Sequence, residues 1–296
     1  MNRWLRGARG GAWSDRALWG FTAIVFVFLF APIVTTVLYA FNRGVLGRQT
    51  STFTGFTTQW FSAAWNNGTL RNALSVSLRA AVFVALISTA IGTLTGITLV
   101  RHRGRALRVT LEVLVYLLLI VPEIVLAVAL LLWYTKLHVP LGMVTLIFGH
   151  TPFTIALVSM IIRSRVVALD PRMEEAAADL GAGRWHTLRD VIFPQLRPAI
   201  VACLILSFTF SFDDVVISLF LSTPTVTTLP VYLFGTVRLG TTPAAYAIAV
   251  IMLVFTLVML AVAGLLYRRQ LRRGRRRARR RAALGAPRAA AEAGAP

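Results

Sequence analysis

Six apolar stretches recur along this chain, at Ala17 to Ala40, Ala80 to Val100, Arg108 to Tyr134, Leu141 to Ile162, Pro198 to Leu221 and Pro243 to Tyr267. No other feature narrows the possible fold so far. At 1.5 Å of helical rise per residue, each stretch is long enough to cross ~30 Å of hydrocarbon. A bilayer interior offers backbone amides no water, so a crossing segment must satisfy them within its own helix. Enclosing these stretches as a soluble core would need more polar surface than the chain has: 57% of the 296 residues are hydrophobic and 14% charged. The expectation is an all-α integral membrane protein with six transmembrane helices.

An even number of spans leaves both ends on one side, and the basic residues choose the side. Of the 31 lysines and arginines, 25 fall in Arg3 to Arg16, Arg101 to Arg108, Arg163 to Arg197 and Arg268 to Arg288. The alternate loops carry only Arg43, Arg48, Arg71, Arg79, Lys136 and Arg238. Positive charge stays inside, so both termini and the loop 164–197 are expected in the cytoplasm of a multi-pass cell-membrane protein. Residues 1–16 read as a basic cytoplasmic start. The run from Ala17 exceeds the ~7–15 apolar residues of a secretory signal and lacks a small-residue cleavage site, so it reads as a retained first span. Residues 17–267 form the transmembrane domain. Residues 268–296, with ten arginines between Arg268 and Arg281, read as a disordered cytoplasmic tail held by anionic membrane lipid. No aromatic side chain interleaves that run to stack a base, which argues against nucleic acid.

Between the fourth and fifth spans lies the one long polar segment. Asp170 can cap a helix opened by Pro171, and Gly181 can take the left-handed conformation that stops it. Within it Met173, Ala176, Ala177 and Leu180 fall at i, i+3, i+4 and i+7 and form an apolar stripe, with Glu174, Glu175 and Asp179 beside it. A second short helix from about Arg184 would carry Trp185, Leu188 and Ile192 on one face and end at Pro194. The segment reads as helix, tight turn, helix: a rigid elbow shaped to meet a partner.

Glu175-Ala176-Ala177, three residues, Gly181, nine residues, then Val191, a spacer, Phe193 and Pro194 resembles the EAA loop of the permease subunits of binding-protein-dependent ABC importers. Val191 and Phe193 stand where that pattern often has Ile and Leu. Ser211-Phe212-Asp213-Asp214 followed by Leu229-Pro230 is similar to the second permease subunit of spermidine/putrescine importers. The resemblance implies a type I ABC importer permease fold with a cytoplasmic coupling helix, and a transport subunit rather than an enzyme. It also implies three kinds of partner: a second permease, a dimer of cytoplasmic ATPases and an extracytoplasmic solute-binding protein. Met173, Glu174, Glu175, Ala176, Ala177, Leu180, Gly181 and Pro194 would form the contact with the ATPase.

Other residues bound the chemistry. Lys136 is the sole lysine and has no glycine-rich context, so this chain has no phosphate-binding loop of its own and ATP would be hydrolysed elsewhere. A single cysteine, Cys203, excludes a disulfide framework, and no metal cluster or cofactor is expected. Gly92 and Gly96, a turn beyond Ser88, either let two helices approach closely or are ordinary small membrane residues. His150 is either a pore group or a buried, hydrogen-bonded imidazole, and the second is favoured since no second ligand or carboxylate is spaced to meet it on its own helix. Trp60 and Trp65 read as part of an interfacial aromatic belt.

Glu123 lies 15 residues past Arg108 and Asp213 lies 16 past Arg197, so both sit ~22–24 Å from the cytoplasmic ends of their helices. A carboxylate inside a span costs about 2.5–3.5 kcal/mol on insertion scales, a large penalty to leave without use. Glu123, Asp213 and Asp214, with Phe210, Phe212 and Trp133 nearby, would suit an organic polycation such as putrescine or spermidine. A metal ion or amino-acid derivative is the alternative cargo. A self-contained ion-coupled carrier, with these carboxylates as proton or cation sites, is the alternative class.

Overall fold

The structure, a computed structural model, describes residues 12–45, 52–238, 243–262 and 264–265. The basic N-terminal arginines Arg3, Arg6 and Arg9 and the Arg-rich tail lie outside the described residues. The helices are α1 (Ala12–Ala40), α2 (Gln59–Asn66), α3 (Gly68–Arg101), α4 (Arg105–Ile120), α5 (Glu123–Lys136), α6 (Met143–Val167), α7 (Arg172–Asp179), α8 (Arg184–His186), α9 (Phe193–Asp213), α10 (Val216–Leu221) and α11 (Leu229–Arg238). They are followed by α12 (Pro243–Val262). Among the described residues five helices are long and apolar enough to cross a membrane, and α4 with α5 makes a sixth if that bent pair is one span. An isolated β-bridge pairs Asn42 with Phe56.

The chain divides into two compact units, Met1–Asn67 with Gly235–Leu253 and Gly68–Phe234 with Val254–Pro296. In the first, Asn42 organises the loop after α1. It is fully buried, its Oδ1 accepts from the Thr54 amide at 2.8 Å, and its carbonyl accepts from Trp60 Nε1 at 3.0 Å. Trp60 is thus a structural donor, while Trp65 stays exposed as an interfacial residue would.

In the second unit α3, α6 and α9 form the frame. Membrane helices gain little from hydrophobic exclusion and associate by close packing instead, which small residues permit. Gly92 and Gly96 serve that packing: a Cβ on Gly92 would stand 2.7 Å from Val158 Cβ, and one on Gly96 would stand 2.8 Å from the Ser159 carbonyl oxygen. Ser88 Oγ reaches the Thr151 carbonyl of α6 at 3.5 Å. One core cluster joins Val84 of α3, Ala127 of α5, Leu146 of α6 and Leu221 of α10. A second, nearer the elbow, joins Ile162 and Val166 of α6 to Ile192, Leu196 and Cys203. Leu229, at the start of α11, donates its amide to Ser77 Oγ of α3 at 2.8 Å, both groups buried.

Three expectations need correction. The third span, expected from Arg108 to Tyr134, is not one helix: α4 and α5 meet at 107° on either side of Pro122. Arg105 to Ile120 alone spans only ~24 Å, so α5 continues the path in a new direction. Pro194 does not end the second elbow helix. The helix runs on from Arg184 to Asp213, through a wide π-type turn at Thr187–Ile192 in which the Phe193 amide bonds back to the Leu188 carbonyl. A proline ring collides with the carbonyl four residues earlier, and widening the turn there relieves the clash without breaking the helix. The fifth span therefore starts at the elbow rather than at Pro198, and it breaks after Asp213 instead of running to Leu221.

Candidate functional site

The elbow is built as its sequence suggests at both ends of α7. Asp170 Oδ1 accepts from the Arg172 amide at 3.0 Å, and α7 opens one residue later than expected. At the other end Gly181 sits at φ +80°, with its amide bonded to the Ala178 carbonyl and the Ala182 amide bonded to the Ala177 carbonyl, both at 2.9 Å. This pair of bonds satisfies carbonyls that the last turn would otherwise orphan. Along the stripe Met173, Ala176 and Leu180 are exposed, Leu180 at 90%, and Ala177 is half-covered. Trp185 is also exposed. The exposed apolar side chains of the stripe lie together on a short, otherwise polar helix. Glu175 is exposed beside them, whereas Glu174 turns inward to Arg101 at the end of α3, 2.6 Å away. Nearby, Arg163 of α6 pairs with Glu112 of α4 at 2.7 Å and donates to the Tyr116 hydroxyl at 3.2 Å. These contacts hold the end of α3, the beginning of α4, the end of α6 and α7 at one end of the unit. Arg108 is exposed there.

The second site lies where two helices break. α9 stops at Asp213, Asp214 is extended, and α10 starts at Val216. Asp214 Oδ2 accepts from the Ser218 amide at 2.9 Å, which closes the first turn of α10. Glu123 opens α5 directly after Pro122, a position where the helix dipole favours a negative charge. A cavity of about 450 Å³ brings Glu123, Asp213 and Asp214 together with Leu206, Thr209, Phe210, Val215 and Val216, and no basic side chain lines it. Glu123 Oε1 is buried and has no hydrogen-bond partner. Phe210 lines the cavity and stacks on Phe153 at 4.9 Å.

Two side chains expected here are elsewhere. Phe212 is 2% exposed and packs between Phe208 and Phe255, with ring centroids 5.8 and 4.9 Å apart. Its place in the helix explains this, since neighbours of Asp213 and Phe210 on one face leave Phe212 on another. Trp133 is exposed, nearly three turns along α5 from Glu123, and does not line the cavity.

His150 of α6 is buried and hydrogen-bonded, as read from the sequence, but it also belongs to this site: it is 2% exposed, and its Nε2 stands 3.2 Å from Asp214 Oδ2. That partner lies 64 residues later, at the break after α9, so no spacing rule within α6 reveals it. Among the described residues no group of three or more His, Cys, Asp or Glu side chains is placed to hold a metal ion.

Helices of this length enclosing a break lined by carboxylates, with an elbow displayed at one end, define a polytopic membrane transport subunit. Its fold is that of ABC importer permeases. It matches a chain of a bacterial ABC transporter involved in the import of the acidic polysaccharide alginate with a TM-score of 0.72 at 16% identity, covering 87% of this chain and 96% of that one. The sequence model described as the binding-protein-dependent transport system inner membrane component matches residues 88–272, and the chain belongs to that family. Among relatives, it is 37% identical over 249 residues to the spermidine/putrescine transport system permease protein PotC of Escherichia coli K12, covering 84% of this chain and 93% of that one. It is 33% identical over 240 residues to the putrescine transport system permease protein PotI of the same strain, covering 77% and 82%.

Proposed function

We propose that this chain forms part of the pathway by which a cationic organic solute of the polyamine class, putrescine or spermidine, enters the cell. The observation that carries the reading is the cavity shared by Glu123, Asp213 and Asp214, which no basic side chain lines. Its volume of about 450 Å³ falls within the ~300–1,000 Å³ usual for small-molecule sites. Inside a low-dielectric wall, three carboxyl groups attract an ammonium and repel phosphate or sulfate. Phe210 adds a ring face for cation–π attraction. The names of the relatives PotC and PotI support the same cargo. The alginate transporter shares only the fold and says nothing of the solute.

Energy comes from outside the chain in this reading. The exposed stripe of α7 docks in a cytoplasmic ATPase, one of a pair, and closure of that pair moves the helices as rigid bodies. Glu175 sits at the rim of this contact, and Gly181 keeps the turn behind it tight. Pro194 belongs to the wide turn that joins the elbow to the fifth span rather than to the docking face. A second permease completes the pathway, a solute-binding protein delivers cargo from outside, and both termini face the cytoplasm. The excess of arginine at the elbow end of the spans supports that orientation.

Asp213→Asn and Glu123→Gln test the cargo. Each is expected to lower uptake of radiolabelled putrescine into cells at least tenfold while the amount of assembled complex stays unchanged. Wild-type uptake by both variants, or transport of anions and neutral sugars alone, would sink the reading.

A further inference from the structure

The acidic wall of the cavity is held from behind by one imidazole. His150 Nδ1 lies 2.8 Å from Ser211 Oγ, in the last turn of α9. Its Nε2 lies 3.2 Å from Asp214 Oδ2, at the break, and 3.2 Å from Ser218 Oγ, in α10. All four side chains are buried. An ionised carboxylate can only accept, so Nε2 carries the proton towards Asp214 and Nδ1 accepts from the Ser211 hydroxyl. One ring from α6 thus ties the two arms of the broken fifth span to each other and to the carboxylate between them. The titratable groups facing it are Asp214 directly and Glu123 in the cavity beyond Asp214; from α3, Ser88 bonds the carbonyl of Thr151, next to His150 in α6.

We propose that His150 is the positioning residue of the acidic cavity: by fixing Asp214 and the angle between α9 and α10, it makes Asp214, Asp213 and Glu123 converge on a single alkylammonium group. The inference rests on the reading of the cavity as the cation site. A desolvated ammonium has three donors to satisfy and is poorly held unless its acceptors are already in place. The backbone at 214–215 has left the helix and cannot hold them unaided. Without the imidazole, Asp214 loses a charge-assisted bond and Ser211 and Ser218 lose their partner, so the carboxylate is held by the Ser218 amide alone. An amide that donates to Asp214 and accepts from Ser211 restores most of the arrangement. A side chain that only fills the volume restores none of it.

The test is equilibrium binding of radiolabelled putrescine to the assembled inner-membrane complex in nanodiscs, with Asp213→Asn as a control for the cavity itself. His150→Leu is expected to weaken binding about tenfold or more, the scale of a lost hydrogen bond to a charged group, and His150→Gln to stay within about threefold of wild type. If Asp213→Asn weakens binding but His150→Leu does not, or if Gln is as poor as Leu, the positioning role is overturned and the cation site stands. If Asp213→Asn binds as wild type does, the cation site falls and this inference falls with it. Should the leucine variant fail to assemble, Ser211→Ala and Ser218→Ala replace it. Each removes one bond and is expected to weaken binding about threefold, and wild-type affinity in both overturns the proposal.

Discussion

Arg101 Nη2 lies 2.6 Å from Glu174 Oε1, so the last turn of α3 is tied to the first turn of α7. The contact is an ion pair rather than a well-aligned hydrogen bond, and both side chains keep between a fifth and a third of their surface in solvent. It connects the helix that packs most closely on α6 with the elbow. A push on α7 therefore reaches the frame of the second unit through two side chains as well as through the chain itself.

Breaking that pair should loosen the elbow more than the fold. Partly exposed pairs contribute about 0.5–1 kcal/mol, so Arg101→Ala and Glu174→Ala are each expected to leave the permease folded and to reduce recovery of the ATPase a few-fold in a detergent pull-down. The reversed pair, Arg101→Glu with Glu174→Arg, should regain part of the loss. Additive losses in the double variant would show that the two residues act separately.

Gly181 gives a sharper test because its surroundings are open. A Cβ there would meet nothing within 4 Å, so only the backbone at φ +80° resists substitution. Gly181→Asn should be tolerated, and Gly181→Val should cost about 1–3 kcal/mol by forcing a β-branched residue into the left-handed region. Ala177→Trp should overfill the docking face without affecting insertion. Recovery of the ATPase by solubilised permease reads both, and wild-type recovery by Val and Trp alike would remove the elbow from coupling.

The crossing of α3 and α6 predicts an asymmetric cost among glycines. Gly96→Ala places its Cβ 2.8 Å from a backbone oxygen that cannot step aside, and should destabilise by about 1–3 kcal/mol. Gly20→Ala, with nothing within 4 Å, should be neutral or slightly stabilising. The buried thiol of Cys203 supplies the readout, since a thiol-reactive dye labels it only as the protein unfolds on heating. Equal melting temperatures for both variants would contradict the packing described here.

Because Cys203 is fully buried, orientation can be tested without removing it. Arg103→Cys, at the elbow end, is expected to react with a membrane-impermeant maleimide only after cells are permeabilised. Val139→Cys, in the loop between α5 and α6, should react in intact cells. The opposite pattern would invert the chain and place the elbow outside.

What was legible in the sequence was local. The Asp170 cap and the Gly181 stop each depend on residues within one turn, and both were readable from residue type alone. The apolar spans follow from length and hydropathy, and counting along the helices set Glu123 and Asp213 near one level, where they line one cavity. Features set by contacts between distant segments were hidden. His150 was readable as a buried, hydrogen-bonded imidazole, but its partner Asp214 was not, because it approaches from the break after α9. Pro194 looked like a stop because a proline after a polar loop usually is one, and the wide turn that accommodates it has no composition of its own. Phe212 was assigned to the cavity by proximity in sequence, although its face of α9 points into the aromatic core with Phe208 and Phe255.

The wide turn at Thr187–Ile192 has a bearing on how such a chain can change over time. Each residue added to or removed from a helix rotates everything beyond it by ~100°. Deleting one residue between Thr187 and Ile192 would let the turn relax to ordinary helical winding, with the elbow still capped by Gly181 and the span still apolar. Because the wide turn absorbs one extra residue, that deletion would keep the face carrying Phe210 and Asp213 in phase with the elbow, whereas a deletion in the ordinary winding beyond it would not. A change of length by one residue should thus be tolerated at this turn better than in α9, provided Pro194, whose ring the wide turn accommodates, is replaced as well.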